Sequence, residues 1–293
     1  MPDETIHAAD APGSVAIIGA GTMGHGIAHA AILGGFETRL YDVAPDAIAR
    51  GRAAIERIVA RGVELGKVEA SVACQSLERL STTTVLADAV RGAGLVIEAA
   101  PETIDVKLAL FEQLDALLAS DAVIASNTSA LSITEMSAAT RRPDRIAGMH
   151  FFNPVHKMKL VEIVEALETS PATLELIEAV ACRMGKETVR VRESPGFITS
   201  RVNAMIGNEA FFMLQEGVAS ARDIDKALKL GLNHPMGPFE LVDLVGLDTR
   251  LSVLEFLHRT LGEKFRPCPL LVQHVKAGRL GKKVGKGVYE YGT

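Results

Sequence analysis

Between Ser14 and Asp42 the chain spells out one supersecondary unit, and nothing else in it restricts the fold as strongly. An apolar strand from Ser14 to Ile18 meets GAGTMG at Gly19 to Gly24, a helix of small residues follows to Leu33, and a second strand, Thr38 to Tyr41, ends at Asp42. The glycines are spaced for distinct tasks: Gly19 permits the tight turn, Gly21 lets the backbone approach a pyrophosphate, and Gly24 allows helix and strand to pack closely. Thr22 and Met23 open the helix, whose unsatisfied amides and positive dipole end point toward a phosphate. Asp42 lies eighteen residues beyond the last of these glycines, where a carboxylate accepts hydrogen bonds from ribose hydroxyls and repels a 2′-phosphate. The unit therefore predicts a dinucleotide site with NAD favoured over NADP. The competing reading is a glycine turn that binds no nucleotide, with Asp42 serving as a helix cap.

Alternation continues downstream and predicts an α/β fold, Rossmann-like and doubly wound, with a mainly parallel sheet and right-handed crossovers. Pro45 to about Leu80 reads as one long helix or a helical pair; strands follow at Gly94 to Ile97, Val123 to Ser126 and around Ile146, with a helix from about Lys107 to Leu118 and a helix start near Ser132. Near residue 190 the pattern changes, because the proline and glycine of RESPGFI break the preceding strand and only helical periodicity follows. The expected layout is a flexible acidic tail over 1–12, a dinucleotide-binding domain over 13–192 and an all-helical domain over 193–293. In the last of these, helices are expected at Thr199 to Glu216, Ala221 to Lys229, Pro238 to His258 and Pro269 to Ala277.

MHFFNPVHKMKLVEIV, from Met149 to Val164, holds His150 and Glu162 in one apolar segment. His150 follows a short strand, where α/β enzymes present groups to a ligand. Glu162 interrupts Leu160, Val161, Ile163 and Val164, and a carboxylate among aliphatics needs a partner. An imidazole with a carboxylate on its far nitrogen is a base and its orienter, able to remove a hydroxyl proton. The alternatives are a hydrogen-bonded scaffold histidine and a solvated charge on an edge strand. With a nicotinamide cofactor, the simplest chemistry is oxidation of an alcohol to a ketone.

Composition removes several other classes. Hydrophobic residues at 48% and charged residues at 23% describe a globular chain rather than a disordered one. A formal charge of −5 leaves no basic footprint for nucleic acid. No apolar run reaches membrane-spanning length, and the acidic start lacks a signal-peptide pattern. Cys74, Cys182 and Cys268 are far apart and signal neither a disulfide framework nor a metal site, which fits a reducing, cytoplasmic setting.

Six ordered blocks then resemble the short-chain L-3-hydroxyacyl-CoA dehydrogenases, in particular the bacterial 3-hydroxybutyryl-CoA dehydrogenases. They are GAGTMG, EAAPE from Glu98, SNTSALSI from Ser126, HFFNPVHKMKLVEIV from His150, SPGFI from Ser194 and NHPMGPFELVDLVGLDT from Asn233. The resemblance implies interconversion of (S)-3-hydroxyacyl-CoA and 3-oxoacyl-CoA with NAD. In it His150 is the general acid/base, Glu162 its hydrogen-bonded partner, and Ser129 the donor to the substrate's 3-oxygen. It also implies cofactor contacts at Glu102, Lys107, Ser129, Asn153 and Lys283, and a homodimer built on the helical domain.

One departure stands out: Ser200 precedes Arg201 where the family commonly has asparagine. Ser200, or Asn203 one turn on, is the candidate for that substrate contact. For the phosphates of coenzyme A the candidates are Arg61 and Lys67, in a basic stretch with Arg50 and Arg57 that also reads as a solvated helix face. Ser129, read alone, also fits a cap or turn, Asn153 a turn former, and Lys283 a solvated tail charge. A dehydrogenase for sugar acids and an NAD-responsive binding module are the competing functions. The retained His150 and Glu162 argue against the second.

Overall fold

The computed structural model describes residues 12–292, so the tail expected over 1–12 falls, apart from Pro12, outside the described residues. The chain divides into two compact units between Glu193 and Ser194.

The first unit is an eight-stranded sheet in the order β3-β2-β1-β4-β5-β6-β7-β8. Its strands are β1 Ser14–Ile18, β2 Glu37–Tyr41, β3 Leu80–Thr83, β4 Leu95–Glu98, β5 Val123–Ser126, β6 Ile146–Phe151, β7 Leu160–Glu165 and β8 Glu187–Arg192. Strands β1 to β6 are parallel, β7 runs antiparallel to β6, and β8 is parallel to β7. Every residue of β4, β5 and β6 is buried, as expected where helices cover both faces of a parallel sheet. Helices α1 Thr22–Leu33, α2 Pro45–Glu64, α3 Ala70–Glu78, α4 Leu86–Val90, α5 Ile104–Leu117, α6 Ile133–Ala138 and α7 Pro171–Arg183 supply the crossovers and cover. Around α1 the core gathers Val15, Ile17, Ile27, Phe36, Leu40, Ile55 and Met149.

Of the two readings of Pro45 to about Leu80, the helical pair is the one found, as α2 and α3, but the chain already enters β3 at Leu80, a strand the sequence pattern did not announce. Strand β3, LSTT, lacks the apolar run that would have announced it and is held by pairing along β2. Ser132 starts α6 as its N-cap, accepting from Glu135 N at 3.1 Å, and Glu193 ties the same turn through Ser132 Oγ and Thr134 N.

In the second unit the helices are α8 Thr199–Gln215, α9 Ala221–Gly231, α10 Pro238–Val245, α11 Leu247–Leu261 and α12 Pro269–Lys276. Phe211, Phe239, Leu247, Leu254, Leu257, Phe265 and Leu271 form its core. The single helix expected from Pro238 to His258 is two. Gly246, at φ 109°, breaks it in a conformation closed to other residues, and any Cβ there would lie 2.8 Å from Asp248 Oδ1.

Candidate active site

Register decides what meets at the sheet's carboxyl edge. Tyr41 pairs with Ile18, Ile18 with Glu98, Glu98 with Ser126 and Ser126 with Gly148. Asp42, Gly19, Glu98, Asn127 to Ser129 and His150 therefore lie on or within a few residues of one row, at the end of the sheet where open α/β folds place their ligand crevice.

At the glycine turn, a Cβ on Gly24 would stand 1.7 Å from Gly19 O, and one on Gly19, at φ 105°, would stand 2.6 Å from Ala99 O. Both are glycine because the backbone leaves no room. Gly21 is different: it is exposed, has an ordinary φ of −69°, and a Cβ there would meet nothing within 4 Å. The protein has no packing reason for glycine at that position, whereas a ligand lying on the turn does. Gly21 is also the N-cap of α1, and no side chain caps that helix, so its first-turn amides suit a phosphate. Asp42 accepts Ala20 N at 2.9 Å on one oxygen and Ala44 N at 3.0 Å on the other. A carboxylate fixed this way keeps further lone pairs for ribose hydroxyls. These residues fit a dinucleotide.

The EAAPE and SNTS blocks meet in a buried network. Glu98 is wholly inaccessible, with Oε1 accepting from Lys107 Nζ at 2.6 Å and Ala100 N at 2.6 Å, and Oε2 accepting from Ser126 Oγ at 2.5 Å. Lys107 is 1% exposed and also lies 3.5 Å from Glu102, so it faces inward between two acids. Glu102 Oε1 accepts from Thr128 Oγ1 at 2.6 Å, Ser129 N at 2.9 Å and Ser129 Oγ at 3.3 Å. Glu102, Lys107 and Ser129 are thus brought together, and Ser129 hangs by the longest bond of the set. Asn127 Oδ1 accepts Phe151 N at 2.9 Å, tying the end of β6 to this loop. Sequence reasoning missed Glu98, Ser126, Asn127 and Thr128 as parts of the site. The test applied to Glu162, a lone carboxylate in an apolar strand, would have found Glu98.

His150 and Glu162 are direct partners across the antiparallel β6–β7 pair, so both side chains leave the same face of the sheet. Nδ1 of His150 lies 2.7 Å from Glu162 Oε2. Glu162 is fully buried and His150 is 6% exposed. Phe152 packs on the imidazole with ring centroids 4.5 Å apart, and Asn153, exposed, precedes Pro154 in the turn beyond. A carboxylate at that distance, in so dry a place, fixes the orientation of the imidazole ring.

Other candidates have plainer surroundings. Arg61 is exposed on α2 and pairs with Glu64 at 2.7 Å, and Lys67 is exposed between α2 and α3. In the second unit Ser200 and Asn203 are half-buried in the first turns of α8, and Lys283 Nζ donates to both oxygens of Asp248 at 2.7 Å. Among the described residues no helix is long and apolar enough to cross a membrane, and no group of His, Cys, Asp and Glu could hold a metal ion.

Residues 14–194 match the family described as "3-hydroxyacyl-CoA dehydrogenase, NAD binding domain", and residues 196–291 match "3-hydroxyacyl-CoA dehydrogenase, C-terminal domain". A Bacillus subtilis protein named "Probable 3-hydroxybutyryl-CoA dehydrogenase" is 46% identical over 94% of this chain and 96% of its own length. The 3-hydroxybutyryl-CoA dehydrogenase of Bradyrhizobium diazoefficiens is 44% identical over 94% of each. The crystal structure of (S)-3-hydroxybutyryl-CoA dehydrogenase from Ralstonia eutropha superposes with a TM-score of 0.93 at 41% identity, covering 97% of this chain and all of that one.

Proposed function

The chain belongs to the 3-hydroxyacyl-CoA dehydrogenase family, an NAD-dependent oxidoreductase family, and from that premise we propose that it interconverts (S)-3-hydroxyacyl-CoA and 3-oxoacyl-CoA with His150 as general acid/base. The observation that carries the reading is the 2.7 Å contact between His150 Nδ1 and a fully buried Glu162, on the strand next to the one that leads into Ser129. The substrate proposed is 3-hydroxybutyryl-CoA, supported by the relatives named for it.

Gly19, Gly21 and Gly24 would hold the NAD pyrophosphate and Asp42 its ribose, and NAD would supply the hydride acceptor there. The remaining work falls to side chains. With Nδ1 committed to Glu162, His150 uses Nε2 to take the proton of the 3-hydroxyl, and returns it in reduction. Glu162 holds the tautomer with hydrogen on Nδ1 and stabilises the imidazolium. Ser129 donates to the 3-oxygen by turning away from Glu102, a small rearrangement because the bond it leaves is 3.3 Å long while Thr128 and the Ser129 amide stay bound. Glu98 keeps Lys107, and through it Glu102, in place. From the second unit, Ser200 and Asn203 are assigned to the substrate and Lys283 to the cofactor on family resemblance. A homodimer through that unit, in the cytoplasm, completes the reading.

Replacing the base tests this. His150→Gln keeps NADH affinity, measured by fluorescence titration, while turnover of 3-oxobutyryl-CoA falls by a factor on the order of 10² to 10⁴. Unchanged turnover would remove the mechanism.

A further inference from the structure

A second group of ionisable side chains lies beside the glycine turn, on the face of α1 that meets the turn between β6 and β7. Contact there is close: a Cβ on Gly26 would stand 2.9 Å from Val155. His25, in the first turns of α1, commits Nδ1 to Gly21 O at 2.8 Å. His29, one turn on, is 7% exposed, and its Nδ1 is buried without a hydrogen-bond partner. The His29 and His156 rings meet edge-on with centroids 6.2 Å apart. Beneath the turn, Lys186 is 9% exposed and donates from Nζ to Val155 O at 2.5 Å and Met158 O at 2.8 Å.

The charges gathered here share one sign. His156, though exposed, is held below the ordinary imidazole range by partial desolvation first, then by the positive fields of Lys157, Lys186, His25 and Lys67. His29 is pushed down to about 4 by burial and then by His156, Lys186 and His25. None of the ion pairs among the described residues involves His25, Lys67, His156, Lys157 or Lys186. On α2, by contrast, Arg52 pairs with Glu56 and Arg61 with Glu64. Lys67, Lys157 and Lys186 are thus cations with no acid in contact, beside two imidazoles, His29 and His156, that the same field disfavours as cations, and a multiply charged anion offsets the repulsion and supplies the anionic acceptors these donors lack. The N-terminus of α1 adds its dipole to the same field.

We propose that His25, His156 and Lys157, joined by Lys67 from the α2–α3 connection, form a phosphate-binding subsite floored by His29 and Lys186. Phosphate fits better than carboxylate because it offers up to two charges and three acceptor oxygens to several donors on separate elements. Its source in the reaction proposed above, on which this part rests, is either the dinucleotide or the phosphorylated end of coenzyme A.

Calorimetry on the full chain with two probes distinguishes the sources: ADP-ribose for the dinucleotide, adenosine 3′,5′-bisphosphate for coenzyme A. His156 and Lys157 are exposed, so the double variant His156→Gln/Lys157→Gln should fold, and its thermal transition checks this. Its affinity for one probe is expected to fall by about tenfold, the loss of charge-assisted hydrogen bonds, and the probe affected identifies the source. Arg52→Gln, which removes one positive charge away from the cluster, leaves both affinities unchanged. Unaltered affinity for both probes in the double variant, or an equal loss in Arg52→Gln, overturns the subsite. Binding is read without turnover, so an absence of activity with 3-oxobutyryl-CoA would refute the proposed reaction and leave this measurement standing.

Discussion

Glu162→Gln separates the electrostatic task of this residue from its structural one. Glutamine has nearly the same volume and keeps an amide oxygen that can accept from His150 Nδ1, so the 2.7 Å bond survives in neutral form and the β6–β7 register is unchanged. What disappears is the negative charge facing the imidazolium. Two unit charges about 4 Å apart at an effective dielectric constant of about 20 interact by about 4 kcal/mol. Part of that returns through the neutral bond, and the difference between charge-assisted and neutral hydrogen bonds is about 1–2 kcal/mol. Turnover of 3-oxobutyryl-CoA with NADH should therefore fall by roughly fivefold to thirtyfold, with NADH affinity and the thermal transition close to wild type. Glu162→Ala supplies the contrast: it leaves a buried imidazole N–H unpaired, which costs about 1–3 kcal/mol of stability in addition to activity. A Glu162→Gln enzyme with wild-type turnover would refute the stabilised imidazolium and reduce Glu162 to scaffolding.

The glycine turn offers a paired test. Gly24→Ala would place its Cβ 1.7 Å from Gly19 O and should cost about 3 kcal/mol or more in urea unfolding. Gly21→Ala has open space and an ordinary φ; it should lose under about 1 kcal/mol of stability yet bind NADH about tenfold more weakly. Equal stability losses in the two variants would contradict the assignment of Gly21 to the ligand. His29 makes a pH prediction. The unfolded chain protonates this imidazole near 6.5 and the folded chain only near 4, so stability present above pH 6.5 is lost as pH falls toward 4, by about 3 kcal/mol. His29→Gln should flatten unfolding curves measured across that window, and an identical pH dependence in variant and wild type would rule the linkage out.

Much of the molecule can be read from local pattern. The strand, glycine turn and helix from Ser14 to Leu33 depend on neighbours a few residues apart, and so do the buried runs of β4 and β5, since periodicity and glycine conformation are local properties. Strand β3 is poorly announced for the same reason. LSTT carries one apolar residue, and its strand form comes from pairing along β2. Gly246 could have been read as a helix break, but apolar spacing continues across it from Phe239 to Leu257, and only its backbone angle shows the interruption.

By itself, then, the sequence determined the dinucleotide-binding unit, the change to helices near residue 190, and the residue types available for acid/base chemistry. Only the tertiary structure decided which of them meet. A histidine and a glutamate twelve residues apart become partners through an antiparallel register that sets them directly opposite. Lys107, expected at a helix start and by resemblance at the cofactor, becomes a buried tie between Glu98 and Glu102. Hydrogen bonds and ion pairs act over a few ångströms, whereas their members here are separated by up to 28 residues of chain, so the contacts exist only once the strands have paired.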